Sequence, residues 1–231
     1  MDGAGNYLDL YDFRRRVFDM YRQRNGALGE GDDPAAVHER FRRARDELFA
    51  HHPQSALAPA DRTDFAGLRY FPYSSAACVE AALRLDAAPM RLAVDTSGEH
   101  PMPMVRIARL SFTYEGAPAE LSLYWIDVYG GGLFLPFRDT TAPHETYGGG
   151  RYLFDTVKGS DFLCSTGADG ERRIVLDFNY AYNPSCAYDH RWACPLAPQE
   201  NWLPFPIRTG ELTFVSSASH QEAEAKDTTD R

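Results

Sequence analysis

Around Arg69 the spacing of apolar residues changes from the helical period to a period of two, and that switch sets the fold class. Upstream, Leu10, Phe13, Val17 and Met20/Tyr21 recur along one side of a helix over 7–24, opposite Arg14, Arg15 and Arg22. A turn-rich NGALGEGDD (25–33) follows, in which Asp33 is placed to cap a second helix with Pro34 at its first position. Val37, Phe41, Ala44 and Leu48 form the apolar stripe of that helix, Glu39–Arg43 and Arg43–Glu47 lie four apart, and His51-His52-Pro53 marks its end. Beyond Arg69, strands are predicted over 76–84, 90–95, 103–114, 119–129, 131–137, 172–182 and 204–215, with EGAP (115–118) as a hairpin bend. Helices first and strands afterwards imply an α+β protein, mainly antiparallel β, preceded by two N-terminal helices. So many strands resolve their edges by forming a barrel-like or two-layer sheet, and the barrel-like form is the preferred expectation.

The chain divides into an N-terminal helix and connection (1–33), a single β-rich domain with a leading helix (34–215), and a polar tail, SSASHQEAEAKDTTDR (216–231), expected to be disordered. It contains no internal repeat. A net charge of −9 argues against nucleic acid as a partner, because phosphate neutralisation needs basic residues. Nearly all positive charge is arginine, with lysine only at Lys158 and Lys226. The first residues lack the apolar run of a signal peptide and no segment is long and apolar enough to span a bilayer, so a cytoplasmic location without membrane contact is expected. Four cysteines (Cys78, Cys164, Cys186, Cys194) in 231 residues do not make a disulfide framework, so any special role for them is chemical.

Two segments concentrate polar, Gly, Pro and aromatic residues as a binding or catalytic site does: 133–151, LFLPFRDTTAPHETYGGGR, and 176–201, LDFNYAYNPSCAYDHRWACPLAPQEN. In strand 119–129, Leu121, Leu123, Trp125, Asp127 and Tyr129 share a face, so Asp127 is either a desolvated acid or an exposed strand end. Strand 172–182 places Ile174, Leu176, Phe178, Tyr180 and Tyr182 on one face and Val175, Asp177, Asn179 and Ala181 on the other, which reads as a solvated face or the wall of a polar cavity. TYGGGRY (146–152) offers either an anion cradle completed by Arg151 or a tight bend requiring positive φ; it is neither a Walker A loop nor a dinucleotide fingerprint. Arg138, Glu145 and Arg151 fit a local ion-pair network equally well. Cys186, His190 and Cys194 are spaced C-x3-H-x3-C, which departs from the usual zinc knuckle. Cys186 as nucleophile needs a base, His144 or His190; otherwise it is a small buried thiol under Tyr182 and Tyr188.

The strings HPQSALAPADRTDFAGLRYFPY (52–73), LFLPFRDTTAPHETYGGGRYL (133–153) and DFNYAYNPSCAYDHRWACPLAPQENWLP (177–204) together resemble an uncharacterised bacterial and archaeal group, domain-of-unknown-function family 1684. The resemblance covers about 37–214 and implies that its characteristic positions include Arg138, Asp139, Thr140, Glu145, Tyr147, Arg151, Asp177, Asn179, Tyr182, Cys186, Tyr188, Cys194 and Glu200. His144 and His190 stand outside the pattern, and so does 1–30. The family implies a site and no reaction.

The leading expectation is an acid/base enzyme (hydrolase, lyase or isomerase) acting on a polar, anionic small molecule. Asp177 or Glu145 would move the proton and Cys186 would be the reserve nucleophile. Arg138 and Arg151 would hold the anionic group, while Tyr147, Asn179, Tyr182 and Tyr188 position the substrate; no metal site and no particular cofactor is assigned. The alternatives are a non-catalytic β-barrel that binds a small molecule or cofactor, and a structural or interaction protein that dimerises through its N-terminal helices.

Overall fold

The computed structural model describes residues 4–166 and 170–216; the expected tail beyond Ser216 lies outside the described residues. Two helices, α1 (Ala4–Gly29) and α2 (Pro34–His51), precede a short α3 (Pro59–Arg62) and a seven-stranded antiparallel sheet. The strands are β1 (Cys78–Val94), β2 (Met102–Tyr114), β3 (Ala117–Ile126), β4 (Gly132–Phe137), β5 (Arg151–Asp155), β6 (Leu163–Thr166) and β7 (Arg172–Asp177). Their order, β5-β4-β3-β2-β1-β7-β6, makes an open half-barrel. Beyond β7 the chain returns to β5 through a Tyr152–Tyr182 bridge of paired amides at 2.8 and 3.0 Å, which ties the two ends of the sheet together.

The second helix begins, and both pack, as their sequence requires. Asp33 accepts the Ala36 amide at 3.0 Å and caps α2. The stripe Phe13, Val17, Met20 and Tyr21 packs on Phe41, Leu48 and Tyr180. The α1 helix runs past both ends of the predicted 7–24 because its surface is anchored on the sheet side: Arg24 donates to Asp161 O at 3.0 Å and Asn25 to Phe162 O at 3.2 Å. A Cβ at Gly159 would come within 2.8 Å of Arg14 O, so this loop meets the helix backbone directly.

The strand predictions need four corrections, each with a local cause. Segments 76–84 and 90–95 are one strand, β1, interrupted by a bulge between Leu85 and Met90 where Pro89 has no amide to donate. The faces of β3 exchange opposite a second bulge near Ile107, so Tyr124 is buried and Trp125 exposed, and Asp127 pairs with Arg91 at the surface. Strand 172–182 stops at Asp177, whose side chain accepts the Asn179 amide and caps a short turn, Phe178–Tyr180. The segment 204–215 is extended without a strand partner, touching Tyr70 through an isolated bridge at Glu211. Two strands, β5 and β6, fall where no strand is predicted. The EGAP bend is a two-residue turn with positive φ at Glu115 (47°) and Gly116 (84°), matching the twist of a hairpin.

The concave side of the half-barrel is filled by its own chain. Leu110, Leu121, Leu135, Phe137, Phe154 and Leu176 meet Phe178, Ala181, Leu203 and Ile207 from the returning segment.

Candidate functional site

The first polar segment turns inward. Arg151 opens β5 at 1% exposure, and its guanidinium donates to Ile207 O (2.8 Å), Glu211 O (3.3 Å) and Thr209 O. These carbonyls alternate along the extended C-terminal segment, so one side chain occupies the place of a neighbouring strand. Asp139 completes the group, accepting from Arg151 at 2.8 Å, Thr141 N at 2.9 Å and Ile207 N at 3.2 Å. Burial draws the Arg151 pKa down against the nearby Asp139 charge. The glycines before Arg151 are there for contact: a Cβ at Gly150 (φ +92°) would lie 2.6 Å from Phe137 O. The tight-bend account of YGGGR therefore describes the geometry, and the anion-cradle account does not, because its arginine is already occupied. Arg138 lies over the Trp202 ring at 4.4 Å, and Glu145 holds an exposed bidentate pair with Arg208.

A second buried centre combines Arg45 and Glu211, neither of which the sequence analysis singled out. Glu211 accepts Arg45 Nε at 2.6 Å, Asn183 N at 2.8 Å, Tyr70 OH at 3.3 Å and Tyr188 OH. Burial opposes the Arg45 charge, but Glu211 beside it raises the pKa well above the ordinary value. One signal was available: Arg45 falls on the apolar stripe of α2, four residues after Phe41 and three before Leu48. A charge there requires a buried partner.

Arg45 also borders a cavity of about 270 Å³ between α1, α2 and the tied end of the half-barrel. Its walls are largely apolar and aromatic: Leu10, Phe13, Val17, Tyr21, Phe49, Tyr152, Tyr182, Tyr188 and Trp192. Arg14, Arg45 and Lys158 contribute positive charge, while no aspartate or glutamate lines it. Ser160 and Tyr182 meet at 2.8 Å on the wall, and the Arg45 guanidinium stands 5.2 Å from the Tyr182 ring centre. Burial lifts the Tyr182 and Tyr188 hydroxyls well above their ordinary pKa, so both are neutral donors or acceptors.

The second polar segment supplies one side of this cavity through Tyr182, Pro184, Ser185, Tyr188, Trp192 and Ala193. Directly behind it, Cys186 and Cys194 meet. Cys186 N donates to Cys194 Sγ at 3.4 Å, and Tyr147 OH lies 3.5 Å from Cys186 Sγ. The bond from Cys194, with those from Ser97 and Tyr147, holds the half-buried Cys186 thiol below the usual range despite burial; the same contact and burial push Cys194 up. His190 is exposed, and among the described residues no three His, Cys, Asp or Glu side chains stand together as a metal site.

Asp177 and Asn179 lie apart from both the cavity and the thiols. The Asn179 side chain exchanges two hydrogen bonds with the Ser74 backbone (2.8 and 2.9 Å), and its Nδ2 donates a third to Asp177 at 2.8 Å. Burial raises the Asp177 pKa, against the bonds from Asn179. His38 reaches Asn179 O at 3.0 Å. Of the predicted site residues, Tyr182 and Tyr188 line the cavity, Tyr147 and Cys186 share the thiol cluster, and Arg138, Glu145, Arg151, Asp177 and Asn179 are distributed elsewhere.

Comparison with known proteins agrees with this architecture. The chain is similar to an uncharacterized protein of Haloarcula marismortui solved by solution NMR. The two are 34% identical, with 76% of this chain and 91% of that one covered and a TM-score of 0.55. A search of curated proteins gives no match. No helix among the described residues is long and apolar enough to cross a membrane. The sequence profile of the DUF1684 family, described as a protein of unknown function, matches residues 63–212, spanning the sheet, the thiol pair and Glu211. The chain belongs to the DUF1684 family.

Proposed function

We propose that this protein binds a small anionic molecule with an apolar body in the cavity beneath α1. The observation that carries the reading is the composition of the walls: three cationic side chains and no carboxylate, set among aromatic and aliphatic groups, in a protein of net charge −9. Glu211 neutralises Arg45, so Lys158 is the group left to meet an incoming anion, with Arg14 beside it. Lys158 makes no close ion pair among the described residues; its charge, like that of Arg14, acts on the buried Asp155 and leaves its ammonium free to meet a ligand. Tyr182 and Tyr188 present their rings to the ligand, their hydroxyls being held by Ser160 and Glu211. Asp177 and Glu145 do not line the cavity, so the reading includes no proton transfer by them. It is the binding-barrel alternative that the cavity supports, in a chain whose described cysteines are all free, as in a reducing cytoplasm.

Titration calorimetry with 4-phenylbutyrate and its neutral amide tests the reading. Binding of the carboxylate, with the amide at least about tenfold weaker, is the expected result, a difference near 1.4 kcal/mol. Equal affinity for the two, or no heat with either at millimolar concentration, overturns it.

A further inference from the structure

We propose that Cys186 and Cys194 form a redox-active dithiol that exchanges with low-molecular-weight disulfides, Cys186 attacking and Cys194 resolving. Nothing in the ligand-binding reading is needed for this. The pair is built rather than incidental. The Cys186 amide donates to Cys194 Sγ at 3.4 Å, which fixes the buried sulfur against its neighbour. Cys194 is clamped in turn by Ser97: its amide donates to Ser97 Oγ at 2.9 Å, and its carbonyl accepts Ser97 N at 2.9 Å. Tyr147 OH stands 3.5 Å from Cys186 Sγ, ready to donate to a thiolate.

The two sulfurs differ in the sense that exchange requires. Cys186 is partly exposed and Cys194 buried, so only the first meets an incoming reagent. The other two cysteines have no such surroundings. Cys78 contacts Asp177, and burial pushes it up to about 11, while burial also raises Cys164. Cys78 and Cys164 are the more exposed, so it is the neighbouring thiol and the Tyr147 hydroxyl, with the thiolate character they confer, that single out Cys186.

The chemistry balances without any group beyond the reagent. The Cys186 thiolate attacks one sulfur of the disulfide, forming a protein–reagent S–S bond and breaking the reagent's own. The released thiolate takes up a proton. Cys194 then gives up its proton and attacks Cys186 Sγ, forming the internal disulfide and expelling the second reagent thiol. The protein loses two electrons, and the reagent is reduced to two thiols.

The test uses the full chain, oxidised glutathione at pH 7, and counting of alkylatable thiols by intact mass under denaturing, non-reducing conditions. The count is expected to fall from the four cysteines of the sequence to about two, with peptide mapping placing the bond at Cys186–Cys194. Cys194→Ser is expected to accumulate a glutathione adduct on Cys186, and Cys186→Ser to give neither adduct nor bond. Tyr147 is a positioning residue: Tyr147→Phe should slow alkylation of Cys186 about threefold at pH 7 and move its pH profile upward while the fold is kept. Four thiols still free after prolonged incubation, or a bond involving Cys78 or Cys164, overturns the proposal. If Cys194→Ser fails to fold, the wild-type thiol count and map decide alone.

Discussion

The two polar segments look alike in composition and are used in opposite ways. In 133–151 the charged groups are consumed: Arg151 and Asp139 bind each other and the backbone of 207–211. In 176–201 polar groups are also bonded within the protein, Asn179 to Ser74 and Asp177 and Tyr188 to Glu211, but the segment frames a cavity of about 270 Å³ and a thiol pair. What lies beside the side chains separates the two, strap carbonyls in the first case and an open cavity in the second, and residue type does not. A buried arginine bonded to three carbonyls and a carboxylate is an element of architecture. A lysine at a cavity wall that makes no close ion pair among the described residues is available for recognition.

Substitutions should widen or collapse that contrast. The largest effect is expected for Arg151→Met, which leaves Asp139 and three carbonyls without their donor; loss of about 3–5 kcal/mol in urea unfolding is expected. A loss below about 1 kcal/mol would mean that the first segment is not the cement described here. Next is acid sensitivity at His38 of α2, which touches the second segment at Asn179 O. Burial pushes His38 down to about 4 from 6.5, with the Asn179 O contact opposing and Arg42 adding to the fall. The folded chain thus binds this proton less readily than the unfolded one. The contribution is full above about 6.5 and is lost as pH falls toward 4. Stability should drop by about 2 kcal/mol between pH 7 and 5 on this account, and His38→Gln should flatten that part of the curve. An unchanged pH profile in the variant would remove His38 from the argument. Lys158→Ala should weaken carboxylate binding about tenfold with little change in thermal midpoint, separating recognition from architecture. The smallest effect is expected for Glu145→Gln: its pair with Arg208 is exposed, so neither stability nor binding should change measurably by calorimetry.

Much of the fold was legible because it rests on local signals. The switch near Arg69, the Asp33 cap and the EGAP bend each depend on a few neighbouring residues, and the half-barrel follows from them. Elements that depend on distant partners were less accessible. The segment 204–215 has extended geometry, but its partner is a guanidinium from β5, which no periodicity reveals. The face exchange in β3 depends on a bulge in β2. For the site, sequence composition located the segments, and Tyr147 with Cys186 and Tyr182 with Tyr188 do fall into two clusters. The cavity itself required tertiary structure, since Arg45, Lys158 and Phe49 come from elements far apart in the chain. Only Arg45, a charge within an apolar stripe, announced itself locally.

The strap formed by 207–211 also bears on the order of events in folding. Its contacts reach back to Asp139 and Arg151, more than fifty residues earlier in the chain, whereas the β2–β3 hairpin closes on two residues. Hairpin contacts have little loop entropy to overcome and the strap has much, so the strap is expected to dock after the rate-limiting barrier. Lesions such as Ile207→Ala then accelerate unfolding and leave the folding rate nearly unchanged. On that expectation, one arginine governs how long the folded molecule persists, while the sheet it completes governs how quickly it forms.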